Sequence, residues 1–429
     1  MARLGIRVWI FAALLGNTAV SASAATDLPA GPGRDIVATV CTSCHELQRI
    51  AASGHDRQGW QNVVAMMRNA GAPLPAEKVD SVVAYLATHF PQKAQPAAVL
   101  VPGKTIVTFR EWQVPTPGSR PHDPLATPDG ALWYTGQMAN VLGRLDPGTG
   151  TFKEFELPPN SGPHGLVADR EGNIWYTANF GGYIGRLDPQ TGEVKQFKMP
   201  DPAARDPHSL VFDSAGLLWF TVQGGNRLGR LDPKTGEVRL VVSPTPASRP
   251  YGIALARNGG QDVPFFVEFG SNKIGRIDPA TMQIREYVLP HADARPRRLA
   301  ITDDGIIWYT DYSRGMLGRL DPQTGSVEEF ASPGGPRSAP YGIAALDGIL
   351  WYSESGVEPN TLVRFDPKTH GFQKTDAFQK THAFQKSHAF QTWAIPSGGG
   401  VVRNMMVTPK GGLALACSGV NGVALVDIR

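Results

Sequence analysis

Five consecutive residues near the N-terminus, Cys41-Thr42-Ser43-Cys44-His45, carry the most specific chemistry in the chain. Two thiols three positions apart, followed at once by an imidazole, suit covalent attachment of a c-type haem. Cys41 and Cys44 would bond its vinyl groups, and His45 is placed as the proximal iron ligand. Half a zinc site is the competing reading, but the first 100 residues hold no second Cys/His pair of suitable spacing. A distal donor must come from the segment that follows. Met66 and Met67 stand there, between Trp60 and Gly71, with His55 and His89 as the other candidates. Methionine opposite histidine makes a six-coordinate iron suited to electron transfer.

A second set of candidates recurs along the remainder of the chain. His122, His164 and His208 each follow a proline, while Glu268, Asp311 and Glu354 each close an aromatic-rich run, with Arg297 between them. Three histidines on adjacent repeats could bind a divalent metal, and three carboxylates could bind Mg²⁺ or Ca²⁺. The plainer alternative is a polar channel wall whose groups bond water and each other.

Two kinds of element must position these residues. Helical spacing covers Asp35 to Ile50, Gly59 to Asn69 and Glu77 to Phe90, with Pro73 and Pro75 breaking the chain between the last two. This layout over residues 27–92 resembles small class I cytochromes. The middle segment resembles a group of bacterial cytochromes in which a Met follows a Trp by seven residues and precedes a Gly-Ala, which implies Met67 as the axial ligand and Met66 as core. The Ala/Pro-rich stretch 93–104 reads as a linker.

From residue 105 onward one sentence repeats, as in Gly172-Asn-Ile-Trp175-Tyr-Thr followed by Ile184-Gly-Arg-Leu-Asp-Pro189. The residues heading the seven copies are His122, His164, His208, Tyr251, Arg297, Tyr341 and Arg403. Their intervals run from 42 to 46, apart from a last one of 62 that contains three inserted six-residue units at 372–389. Such a period with several short strands predicts a mainly β fold, a seven-bladed β-propeller behind a small all-α domain. Ile106 to Pro115 matches the outer strand of the first copy, and the last copy lacks one. The N-terminal strand should therefore complete the seventh blade and remove two open edges.

The repeated Pro-His/Tyr-Gly-Ile, Gly-x-Leu/Ile-Trp-Phe/Tyr-Thr and Ile-Gly-Arg-Leu elements over 105–429 resemble the streptogramin B lyase (virginiamycin B lyase) family. That resemblance implies a seven-bladed monomer that binds Mg²⁺ and opens a cyclic lactone by elimination. Proton removal α to a carbonyl needs a base, and a metal stabilises the enolate. The family's site would fall on Asp311, Tyr341 and Glu354. Where the family carries Glu-x-His this chain reads Ala339-Pro340-Tyr341, so the metal-shell glutamate and the catalytic histidine are both replaced.

Composition bounds the rest. Glycine (48) and proline (36) are abundant, hydrophobic residues make up 41%, and a net charge of +3 gives no argument for nucleic acid. Residues 1–25 read as a secretory signal with Arg3 and Arg7, an apolar run from Val8 to Leu15 and the small Ala22-Ser23-Ala24 site. A periplasmic protein with no membrane span after cleavage is expected. Cys417 reads as a small buried hydrophobe. The functional expectation is haem electron transfer with a redox partner or small-molecule substrate at the propeller face. The alternatives are an Mg²⁺-dependent C–O lyase carrying a cytochrome, or a propeller that only binds.

Overall fold

The computed structural model describes residues 28–43, 46–258, 260–369 and 389–429. The signal at 1–25, the pair Cys44 and His45, and nearly all of the insertion at 372–389 lie outside the described residues.

Seven four-stranded antiparallel sheets form the blades of a propeller, each running from inner to outer strand in chain order, except the last. Blade 7 takes its outer strand, Val107–Gln113, from the start of the propeller sequence; it pairs with Gly422–Ile428 from Val107↔Ile428 to Gln113↔Gly422. This closure leaves no unpaired blade edge at the join.

The repeated threonine explains how each head residue is held. Its hydroxyl accepts from a backbone N–H of its own inner strand and donates to the head carbonyl of the next blade. Thr177 Oγ1 accepts from Gly165 N at 2.8 Å and donates to His208 O at 2.7 Å; Thr221 accepts from Ser209 N at 3.0 Å and donates to Tyr251 O at 2.7 Å. Thr135 and Thr310 do the same in blades 1 and 5, and Ser353 of blade 6 accepts from Gly342 N and donates to Val402 O, just before the head Arg403. One buried side chain thus clips two adjacent inner strands in register, which sets the ring of head residues around the axis.

The Gly-Arg pair in the third strand also has a physical cause. A Cβ on Gly229 would lie 2.1 Å from Phe220 Cζ, and on Gly143 1.9 Å from Tyr134 Cζ, because the aromatic of the Trp-aromatic-Thr run lies flat across the neighbouring strand. Both rings are fully buried and cannot swing aside. Gly229→Ala should therefore lower stability by about 1–3 kcal/mol through overpacking, measurable by denaturant titration. Equal stability would mean that the ring has room to move. The repeated tryptophans pack both within and between blades: Trp175 stacks on Phe197 of its own blade at 5.2 Å and meets Phe212 of blade 3 edge-on at 5.7 Å.

The helical domain comprises α1 (Arg34–Thr39), α2 (Leu47–Ala52), α3 (Arg57–Asn69) and α4 (Val79–His89). The single helix expected over 35–50 is broken by a tight turn at Cys41–Ser43, where the Thr42 and Ser43 hydroxyls donate to the carbonyls of Ala38 and Val40 and compete with helical bonding. Asp56 caps α3, accepting from Gly59 N at 2.7 Å. The core gathers Val37, Ile50, Trp60, Val64, Leu74, Val82, Val83 and Leu86, with Cys41 half-buried against it. Segment 93–104 is not a free tether. Ala98 N donates to Glu358 O at 3.1 Å, and Thr392 of blade 6 bonds the carbonyls of Val99 and Val101. No helix among the described residues is long and apolar enough to cross a membrane.

Candidate functional site

In antiparallel blades, the loops that enter the inner strands lie at the same end as those joining the second strand to the third. At this end the head residues converge on the axis. His122, His164 and His208 stack ring on ring, 3.6 Å between centroids at each step, and Tyr251 continues the stair 3.7 Å from His208. Tyr251 then meets Tyr341 across the channel, hydroxyl to hydroxyl at 2.5 Å. Arg297 lies 3.8 Å from the Tyr341 ring centre and 4.2 Å from that of Tyr312, with Phe269 and Tyr251 beside it.

One residue further along the inner strands, a second layer crosses the axis. Arg298 of blade 5 donates to Asp123 of blade 1 at 2.9 Å and to Ser209 of blade 3 at 3.1 Å. Asn404 of blade 7 donates to the other Asp123 oxygen at 2.9 Å, and His122 Nδ1 lies 2.9 Å from the first. One buried carboxylate thus ties three blades together, and Arg298 extends the tie to a fourth.

Charge in this channel is mainly positive. Arg120, Arg297 and Arg403 ring the mouth, and among the described residues no carboxylate lies within ion-pair distance of any of them. Burial, then the neighbouring Arg403, bring Arg120 down to about 10. Burial also holds all three stacked histidines well below their usual value, reinforced by neighbouring imidazoles and by Arg298, so they are neutral. The two phenols are driven apart. Burial and its partner push Tyr251 up to about 12, whereas in Tyr341 the effect of burial is outweighed by Arg297, Arg403 and Arg298, which bring it down to about 8. The pair shares these two steps.

The acidic candidates occupy different surroundings. Glu354 accepts from Ser332 Oγ, Gly334 N and Thr361 Oγ1, each at 2.6 Å. Asp311 accepts from Arg295 N at 3.0 Å and Ser313 Oγ at 2.9 Å, and pairs with Arg314 at 3.2 Å. Glu268 holds Ser243 and Ser271, and burial pushes it up to about 7. All three are fully buried and tie down the loops around their blades. Among the described residues, the only His/Cys/Asp/Glu group with donor atoms mutually within 4.8 Å is His122, Asp123 and His164. Its carboxylate is already occupied by Arg298, Asn404 and His122, and guanidinium groups surround it, so this donor set does not fit Mg²⁺. Nor do the three separated acids.

The structure thus brings Tyr341, Arg297, His122, His164 and His208 together, and leaves Asp311, Glu354 and Glu268 apart from them and from each other. Sequence reasoning missed Arg120, Asp123, Tyr251, Arg298 and Asn404 as site residues. Tyr251 and Arg403 were visible as copy heads. Asp123, Arg298 and Asn404 occupy the position just after the head, where opposite charges on remote copies were the available signal.

The helical domain reaches this same end. Asn62 and Asn69 of α3 donate to the carbonyls of Gly419 and Pro117, each at 2.9 Å. Ala65 and Met66 abut Gly118. Pro117 and Gly118 lie in the loop that leads to Arg120, and Gly419 adjoins Ser418, whose hydroxyl accepts from Arg403 Nε at 2.7 Å. Asn62, Ala65, Met66 and Asn69 form one face of α3, Trp60 and Val64 face the helical core, and Met67 follows Val64 by three residues. Met67 is half-buried.

The model of the virginiamycin B lyase family matches residues 103–261 and 234–413. Among solved structures, a streptogramin B lyase is 25% identical with a TM-score of 0.64, over 75% of this chain and 98% of that one. A catalytically inactive virginiamycin B lyase from Staphylococcus aureus with quinupristin is 22% identical with a TM-score of 0.63, over 75% and 99%. Kuenenia stuttgartiensis hydrazine synthase shares the fold at 15% identity and a TM-score of 0.58, over 72% and 95%. No curated protein sequence matches the chain.

Proposed function

The chain belongs to the virginiamycin B lyase family, and from that premise we propose that it is an exported, periplasmic electron-transfer member whose propeller binds a substrate or redox partner beside a haem-bearing helical domain. The supporting observation is where that domain sits: α3 docks on the channel-mouth end of blades 7 and 1, where Asn62 bonds Gly419 and the adjoining Ser418 bonds Arg403. A group bound at the mouth would then be close to the domain's core, and electron exchange needs such proximity.

The residues present fit a c-type haem. Cys41 is a free thiol on the edge of an apolar helical core, and Met67 follows Trp60 and Val64, which face that core, at helical spacing in α3. Cys41 and Cys44 would hold the haem covalently, and His45 and Met67 would hold its iron. When bound, this group supplies one-electron exchange. The apolar helices would exclude water from it, and the docked asparagines would fix its domain against the propeller. Burial pushes the Cys41 thiol up, which keeps it protonated until it reacts. Elimination chemistry has weaker support, because the acids that would hold a metal are engaged in holding loops.

The test is to produce the full chain in a host that attaches c-type haem, denature it and stain the gel for haem. Covalent haem in the wild type, lost in a Cys41→Ser/Cys44→Ser variant whose propeller still unfolds cooperatively, is expected. An unstained wild-type band of unshifted mass would overturn the reading.

A further inference from the structure

We propose that Arg120, Arg297 and Arg403, with the phenols of Tyr251 and Tyr341, form a binding site for a small oxyanion, a carboxylate or a phosphate group, at the channel mouth. This deepens the reading of that face as the ligand-binding face. It does not depend on haem.

Three observations carry it. The three guanidinium groups come from blades 1, 5 and 7, yet they converge: Arg297 packs 3.8 Å from the Tyr341 ring centre, Arg120 feels both Arg297 and Arg403, and all three interact with Tyr341. Like charges brought together in a half-buried place are costly unless a counter-ion is present, and among the described residues no carboxylate pairs with them. Asp123 lies nearby but is taken by Arg298 and Asn404. Second, buried donors remain unused: Arg297 Nε, Arg298 Nε and the Nδ1 of His164, a residue only 3% exposed, have no partner. Third, the aromatic cage of Tyr251, Phe269, Tyr312 and Tyr341 fixes the Arg297 plane. A fixed planar fork matches the paired oxygens of a carboxylate or phosphate.

A cation is excluded by the same inventory. The one close group of possible donors among the described residues, His122, Asp123 and His164, has its carboxylate taken by Arg298 and Asn404. The surrounding charge is positive. Guanidinium planes select for anions.

The site should respond to pH in a defined sense. The charged and titratable groups facing Tyr341 are Arg297, Arg298, Arg403, Arg120, Tyr251 and Tyr312, with His164 and His208 behind Tyr251. Above about 8 the phenol pair loses a proton, and the phenolate competes with the ligand for the arginines. Affinity for an oxyanion should therefore fall as pH rises through that point. By linkage, a bound oxyanion must raise the pH at which the phenolate forms.

The experiment uses the full chain, with malonate and inorganic phosphate as separate probes. Calorimetric titration reports binding, and ultraviolet difference absorbance reports the phenolate. One probe or both should bind one per chain and suppress the phenolate signal, and Arg120→Gln/Arg403→Gln should weaken binding about 10-fold or more. Saturation by malonate alone marks the ligand as a carboxylate, and by phosphate alone as a phosphate group. Should the double variant fold poorly, the wild-type phenolate shift decides by itself. A phenolate step unmoved by saturating amounts of both probes, or equal binding to a folded double variant, would overturn the proposal.

Discussion

Lowering the pH from about 6.5 to about 5.5 is expected to take about 3 kcal/mol of unfolding free energy from the propeller through three histidines, part of it returned by two raised carboxyls. His122, His164 and His208 are buried in one stack, and burial with neighbouring positive charge holds each well below 6.5 in the folded chain. Unfolded, each would titrate near its ordinary value. The folded state therefore binds fewer protons than the unfolded state below that value, and stability falls as pH falls. Each histidine contributes about 1 kcal/mol over the first unit of acidification, and the three add because none is charged in the fold. Glu268 and Asp206, each raised by burial to about 7, act with the opposite sign in this window and return about 1 kcal/mol each, while the depressed aspartates of the Asp-Pro turns, such as Asp188 and Asp232, act only at lower pH. The two carboxyls are common to wild type and variant, so the histidine contribution is read as a difference: in denaturant titrations across this window, His164→Gln should take up about 0.7 fewer protons on unfolding than the wild type. Equal uptake by the two chains would mean that His164 is already charged in the fold and that the stack admits water.

The blades were legible because each is written by a local rule repeated seven times. Tryptophan, aromatic and threonine mark the second strand, glycine under the aromatic marks the third, and Asp-Pro marks the turn to the fourth. The missing outer strand of the last copy even told which end closes the ring. The site was legible only as far as the copy heads. Knowing that His122, His164 and His208 head successive copies places them side by side, but not ring upon ring. Asp123 and Arg298 are separated by four blade steps. Their pairing depends on the diameter of the closed channel, which no local pattern encodes. The acids failed for a related reason. Glu354 stands at the register position facing Pro340, where a side chain can turn inward or toward the loop beside it. Ser332, Gly334 and Thr361 decide that choice, and they come from elsewhere in the chain.

That cross-channel pair makes a second large effect measurable. Arg298→Met should destabilise the propeller by about 3–5 kcal/mol, because it removes the cation from a buried carboxylate and fills the space with an apolar chain of similar length. Asp123 and Arg298 have side chains only 6% and 7% exposed, so water cannot replace the lost partner. Asn404 and His122 would still donate to the carboxylate, but neither neutralises it. Adding Asp123→Asn should restore most of the loss, since the orphaned charge and not the missing contact is the main cost. The pH dependence carries the opposite sign to that of the histidines. Burial already raises Asp123 above 3.8, and without Arg298 it must rise further. The folded variant then binds a proton that the unfolded chain does not, so its deficit relative to the wild type should shrink as pH falls toward about 5. Measuring both chains at each pH cancels the histidine contribution, which they share. A deficit that is independent of pH, or that Asp123→Asn fails to relieve, would show that Arg298 contributes packing across the channel and not charge.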